Sequence, residues 1–172
     1  MFYLLDQPTE EEFQNLALRY REMEPSSVKA MVTLLRTGSD LLTAFEKLLK
    51  GYGLSQGRFL ILVVMNRQPD ELTTPSALAE KVGVTRATMT GLIDGLVRDG
   101  FIQRFSHDSD RRKQHLKLTD AARDLLESLL PDYWSRIHHL MSGLTKDEEK
   151  ELTLLLRKVA DNISELTGDE RQ

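Results

Sequence analysis

The chain has 172 residues, 40% apolar, 29% charged and 6% aromatic, with a net charge of -4, which fits one domain or a small lobe with an extended helical part and excludes a disordered or fibrous chain. It has no cysteine, so disulfides, thiolate metal sites, cysteine nucleophiles and thiol redox sensing are all excluded. The longest apolar run, Phe59 to Met65, has seven residues against the roughly 20 that cross a bilayer, and MFYLLDQPTEEE carries no basic region or cleavage site, so a cytoplasmic protein without a membrane partner is expected.

In chain order, Thr9 with Glu12 three residues on is a capping-box pattern, and Phe13, Leu16, Ala17, Tyr20 and Met23 follow at helical spacing, predicting a short amphipathic helix over 9–24. A long second helix runs from Pro25-Ser26 to about Lys50 on Val28, Met31, Val32, Leu35, Leu41, Leu42, Phe45, Leu48 and Leu49, and Gly51 and Gly53 stop it. Ser55 then caps QGRFLILVVMNRQ, apolar nearly all round in its middle and therefore expected to be buried.

Next, Thr74 is the N-cap of a two-turn helix with Pro75 at its first position and Gly83 at its end. Thr85 caps another helix, RATMTGLIDGLVRD, closed by Gly100. Its Met89, Leu92, Ile93, Leu96 and Val97 form one buried stripe and leave Arg86, Ala87, Thr88, Thr90 and Gly91 on the other face of the first turns. Two short helices joined by a tight turn with glycine are a helix-turn-helix signature.

FIQRF then reads as a strand, SHDSDRRK as a polar loop and QHLKLT as a returning strand with Leu116 and Leu118 on one side, so the segment is a β-hairpin. Thr119 caps a long helix carrying Leu125, Leu126, Leu129, Leu130, Tyr133, Trp134, Ile137, Leu140 and Met141, and Pro131 is expected to kink or split it near Leu130. A last helix begins at Leu144-Thr145-Lys146-Asp147-Glu148 with a capping box and continues through Leu152, Leu155, Leu156, Val159, Ile163 and Leu166 to a frayed TGDERQ tail. Both terminal helix pairs carry apolar faces too wide for the small central lobe to cover. Such faces pack with each other and with a second copy of the chain.

Charge is uneven along the chain. Residues 81–117 hold eight Lys/Arg against four Asp/Glu, a local excess of +4 on an otherwise acidic body, and much of it sits in HDSDRRKQHLKLT. A local positive field of this kind is the footprint of a polyanion partner, double-stranded DNA above all. The major groove admits one α-helix whose N-terminal end offers small or hydrogen-bonding side chains. TRAT meets that requirement: Thr85 as cap, Arg86 for guanine or phosphate, Ala87 for a thymine methyl, Thr88 and Thr90 for phosphate or bases. Thr74 and Ser76, at the start of the preceding helix, are placed for phosphate. A cationic hairpin beside a helix-turn-helix suits the narrow, negative minor groove.

The run LTTPSALAEKVGVTRATMTGLIDGLVRDGFIQRFSHDSDRRKQHLKLTDAA resembles the winged helix-turn-helix core of the MarR family of bacterial transcriptional regulators, and Asp110, Arg112, Leu118 and Thr119 match its wing signature, D-x-R-x-x-x-x-x-L-T, at every fixed position. The likeness spans roughly residues 26–166; residues 1–24 are an addition that only some members have. It implies a mainly α fold in which a winged helix-turn-helix DNA-binding lobe with a small β-hairpin wing (55–118) joins a helical dimerisation lobe built from both termini (25–54 and 119–172). It further implies a homodimer binding a palindromic operator, with residues 85–99 as recognition helix, Arg112 in the minor groove, Asp110 holding the wing, and Arg111 and Lys113 near backbone phosphates. A small aromatic or phenolic effector between the lobes is also implied, without indicating its pocket residues. No cofactor is implied.

Other chemistries fit less well. GLSQG, residues 53–57, matches the G-x-S-x-G nucleophile-elbow pattern, but it follows a helix end and no series of parallel strands exists to hold it, so Ser55 reads as a helix cap and the chain as no enzyme. His138 and His139 are adjacent and face different ways, whereas a metal-binding helical pair needs i, i+4. Tyr133, Trp134 and the methionines read as core or dimer packing. A winged-helix module that docks a protein instead of DNA is the alternative from another class.

Overall fold

The computed structural model describes residues 8–107, 110–166 and 168, with 106, 107 and 110–113 described in their backbone only. The elements are α1 (Glu10–Arg19), α2 (Pro25–Lys50), α3 (Gln56–Asn66), α4 (Pro75–Val82), α5 (Arg86–Arg98), β1 (Ile102–His107), β2 (Asp110–Leu118), α6 (Asp120–Met141), α7 (Lys146–Asp161) and a 3-10 turn, Ile163–Leu166. The fold is mainly α with one two-stranded antiparallel sheet, and the chain divides into two compact units that meet in sequence at Ala122 and Arg123.

In the first unit, α3, α4, α5 and the hairpin share one core. Ile61, Leu62, Leu78, Met89, Ile93, Leu96, Ile102 and Leu116 are almost completely withdrawn from solvent, each Leu or Ile among them contributing about 1.5–3 kcal/mol of burial. The helix starts fall on their expected caps. Thr9, Ser55, Thr74, Thr85 and Thr145 each accept a bond from the backbone N–H three residues on, and Thr9 and Thr145 complete capping boxes with Glu12 and Glu148.

The structure corrects several expectations. The first helix ends at Arg19, not near residue 24, because Tyr20 is extended and Glu24, before Pro25, is held out of the helical region; Tyr20 is exposed where the stripe placed it inside. Leu60 of α3 is exposed although the helix was expected to be buried all round, since four neighbours on the other side, Phe59, Ile61, Leu62 and Met65, take the core positions. The charged stretch read as a loop over 106–113 is strand from Asp110 onward and to His107 on the other arm, with a register shift between Ser106 and His107. Backbone pairing of Ser106 with Gln114 and of His107 with Asp110 carries the two arms into the stretch where side-chain propensity does not.

Pro131 does not split α6, which runs unbroken from Asp120 to Met141. The lost N–H removes one intrahelical bond, and the following turn is supported by the Arg136–Asp132 pair, 2.8 Å apart at i, i+4. The last helix tightens to a 3-10 turn after Asn162, so Ile163 and Leu166 are not on α7; of the TGDERQ tail only Gly168 lies within the described residues. Trp134 is 54% exposed and stands edge-on to Tyr133 at 5.0 Å, so it is not core in the single chain. Burial raises the Tyr133 hydroxyl above its ordinary value.

Candidate nucleic-acid interface

Between α4 and α5 lie only Gly83, Val84 and Thr85. Gly83 adopts φ +74°, a left-handed conformation that glycine takes without a Cβ penalty. The N–H groups of Gly83 and Val84 both donate to the Ala79 carbonyl, at 2.9 and 3.1 Å, which closes α4 and turns the chain at once into the Thr85 cap. Leu78, Ala79 and Met89 bury the inner corner of the pair.

The stripe of α5 divides as its spacing requires. Met89, Ile93 and Leu96 are buried, Leu92 and Val97 half-buried, and Arg86, Ala87, Thr88, Thr90 and Gly91 exposed on the opposite side. The threonines are partly committed: Thr85 accepts from the Thr88 N–H at 3.2 Å, the two hydroxyls share a bond at 2.9 Å, and the Thr90 hydroxyl donates to the Arg86 carbonyl at 3.0 Å. With its proton returned to the helix, Thr90 faces outward as an acceptor, suited to a base amino group rather than to phosphate. The Arg86 guanidinium makes no ion pair or hydrogen bond among the described residues, while its carbonyl accepts from Thr90. Thr74 is half-buried and spends its hydroxyl on the Ala77 N–H at 3.3 Å, while Ser76 is exposed. No acid stands in the first turn of α4 or α5, so the positive ends of both helix dipoles are uncompensated.

The hairpin is tied to this pair at three places that sequence reading does not show. Thr73, just ahead of α4, pairs with Leu116 of β2. Arg104 of β1 forms an ion pair with Asp94 of α5. At the base, Thr119 donates its N–H to the Phe101 carbonyl at 3.1 Å and its hydroxyl to the Gly100 carbonyl at 2.8 Å. Asp110, Arg111, Arg112 and Lys113 stand on the β2 backbone; their side chains lie outside the described residues. On the inner side of α5, Arg58 of α3 reaches Asp99 at 2.7 Å. Asp94, Asp99 and Arg104 count as charges in the sequence, but pairs across 10 and 41 residues leave no local pattern.

Elsewhere in this unit an open groove of about 670 Å³ runs along α2, lined by Leu34, Leu35, Gly38, Leu42 and Glu46 among others. Among the described residues no cluster of three His, Asp or Glu could hold a metal ion, and no helix is long and apolar enough to cross a membrane.

Two helices joined by a three-residue turn, a hairpin locked beside them and an outward helix face of small and hydrogen-bonding side chains define a winged helix-turn-helix. The MarR family model matches residues 54–113. The transcriptional repressor YetL of Bacillus subtilis is 36% identical over 133 residues, 77% of this chain and 79% of that protein, and the transcriptional repressor MprA of Escherichia coli K12 is 28% identical over 162 residues, 94% and 92% of the two chains. The crystal structure of Sco3205, a MarR family regulator of Streptomyces coelicolor in complex with DNA, shares the fold with a TM-score of 0.69 at 21% identity, covering 91% of this chain and 94% of that one. The chain belongs to the MarR family.

Proposed function

We propose that the protein is a sequence-specific DNA-binding transcriptional repressor that acts as a homodimer on a palindromic operator and is released by a small aromatic or phenolic effector. The observation that carries this reading is the outward face of α5, where Arg86, Ala87, Thr88, Thr90 and Gly91 present a narrow, acid-free surface. Such a face fits a major groove, while Arg112, with Asp110, Arg111 and Lys113 beside it on the wing, enters the flanking minor groove. Thr74 and Ser76 bring the start of α4 to the backbone phosphates. The names of YetL and MprA as repressors support the same direction of control.

Dimerisation is supported by apolar side chains left in water by a single chain: Leu42 of α2 is 53% exposed, Val159 of α7 52% and Ile163 58%. Residues 25–54 and 119–172 form the dimer lobe, 55–118 the DNA-binding lobe, and 1–24 an N-terminal addition. The two half-sites then lie about 10 base pairs apart.

Selection from a random duplex pool tests the reading. A palindrome enriched by the wild-type protein and bound at least tenfold more weakly by Arg112→Ala supports it. Arg86→Ala distinguishes base from phosphate contact: a uniform loss on all sequences, with the salt slope reduced by about one, marks phosphate. Binding that ignores added salt would instead indicate a protein-docking module.

A further inference from the structure

Two glycines, one on α3 and one on α5, sit where these helices cross. Gly57 is the last glycine of the GLSQG pattern, and a Cβ there would meet Leu92 of α5 at 3.1 Å. Gly95 is buried in the interior of α5, where glycine is less favourable than alanine. A Cβ at Gly95 would lie 2.1 Å from Nη2, 2.7 Å from Cζ and 2.8 Å from Nε of Arg58. The guanidinium of Arg58 therefore crosses the bare backbone of α5 at this point, and its Nη1 donates to Asp99 at 2.7 Å. Asp99 closes α5, where a carboxylate faces the negative end of the helix dipole; Arg58 supplies the counter-charge. Gly91, one turn earlier, has nothing within 4 Å, so close approach explains Gly95 and not Gly91.

We propose that Arg58 is a positioning residue for DNA recognition: seated over Gly95 and paired with Asp99, with Leu92 seated over Gly57 next to it, it sets the angle at which α5 leaves α3. This rests on α5 being the helix that reads DNA. The two halves of the latch are mutually exclusive with a side chain at 95, because a methyl group there occupies the place of the guanidinium. Arg58 lies on the inner side of α5 and is not a phosphate contact.

The test compares Arg58→Ala, Gly95→Ala, the double variant and Arg58→Ala/Gly95→Arg, using the duplex enriched by the wild-type protein and a scrambled duplex. Arg58→Ala and Gly95→Ala should each weaken binding to the enriched duplex about three- to tenfold, and the double variant no further, since both remove one interaction. Affinity for the scrambled duplex and the salt slope should stay at wild-type values. Gly95→Arg should leave binding weak in the Arg58→Ala background, because an arginine one turn before Asp99 pairs within α5 and links nothing to α3; restored binding would overturn the proposal. Additive losses, a wild-type Gly95→Ala, or a reduced salt slope in Arg58→Ala would overturn the proposal. Thermal unfolding judges the latch even if wild-type protein enriches no duplex, an outcome that would refute the DNA reading alone. Gly95→Ala should raise Tm by about 2–4 °C where Arg58 is absent and not where it is present; equal gains in both backgrounds would refute the latch.

Discussion

Thr73 and Leu116 exchange both backbone bonds, Thr73 N–H to the Leu116 carbonyl at 3.2 Å and Leu116 N–H to the Thr73 carbonyl at 2.8 Å. This single bridge joins the residue ahead of α4 to the second arm of the wing, so the helix pair and the hairpin share a backbone link as well as a core. Thr73→Pro deletes one of the two donors. It should cost about 1–3 kcal/mol, seen in denaturant unfolding, and speed amide exchange at Leu116. Unchanged exchange there would show that the bridge adds nothing to the wing's attachment.

Met89 is the buried member of α5 nearest its N-terminus, fully inaccessible behind the exposed Arg86, Ala87, Thr88 and Thr90. Met89→Ala should destabilise the protein by about 2–5 kcal/mol, measured by urea unfolding, with weaker operator binding following from the altered seat of the helix. A loss under 1 kcal/mol would mean that the corner between α4 and α5 repacks freely.

The apolar stripe of α7 gives a direct check on assembly. Leu155 is 50% exposed in the single chain, with Leu152 and Val159 beside it. Leu155→Glu should move the protein from dimer to monomer in sedimentation velocity while leaving the helix content of each chain intact. A wild-type protein that sediments as a monomer would end the dimer proposal outright.

The α7 capping box carries a pH dependence with a definite sign. The backbone N–H of Thr145, and then its hydroxyl, hold the Glu148 carboxyl below its ordinary value of 4.5. A carboxyl depressed in the folded state contributes stability that is complete above its unfolded value and disappears as pH falls through the folded one. Amide protection at the start of α7 should therefore fall below about pH 4.5. Glu148→Gln keeps an acceptor but does not titrate, so its protection should stay flat across that range.

The starts of α3, α4, α5 and α7 were legible because each begins at a Ser or Thr whose hydroxyl satisfies a backbone donor, a purely local requirement. Leu116, Leu118 and the Met89 stripe were legible by period. The charged hairpin arms were not, since the pairing of Asp110 with His107 and of Gln114 with Ser106 is a property of two segments, while the residue types argue for loop. At Pro131 the local signal for a split is outweighed by the helix around it, which continues on both sides. Arg58 could not be found because the sequence shows a charge, whereas its meaning depends on an absent side chain at Gly95. The candidate DNA contacts on α5 could be placed on one helix face from spacing alone, but the hydroxyl commitments of Thr85, Thr88 and Thr90 could not.

Thr119 closes the base of the hairpin through Gly100 and Phe101 and, with the same hydroxyl, receives the Ala122 N–H at 3.2 Å to begin α6. One side chain thus finishes one module and starts the next. The base of the hairpin and the first turn of α6 are thereby coupled, since neither can pull away without losing its bond to the same hydroxyl.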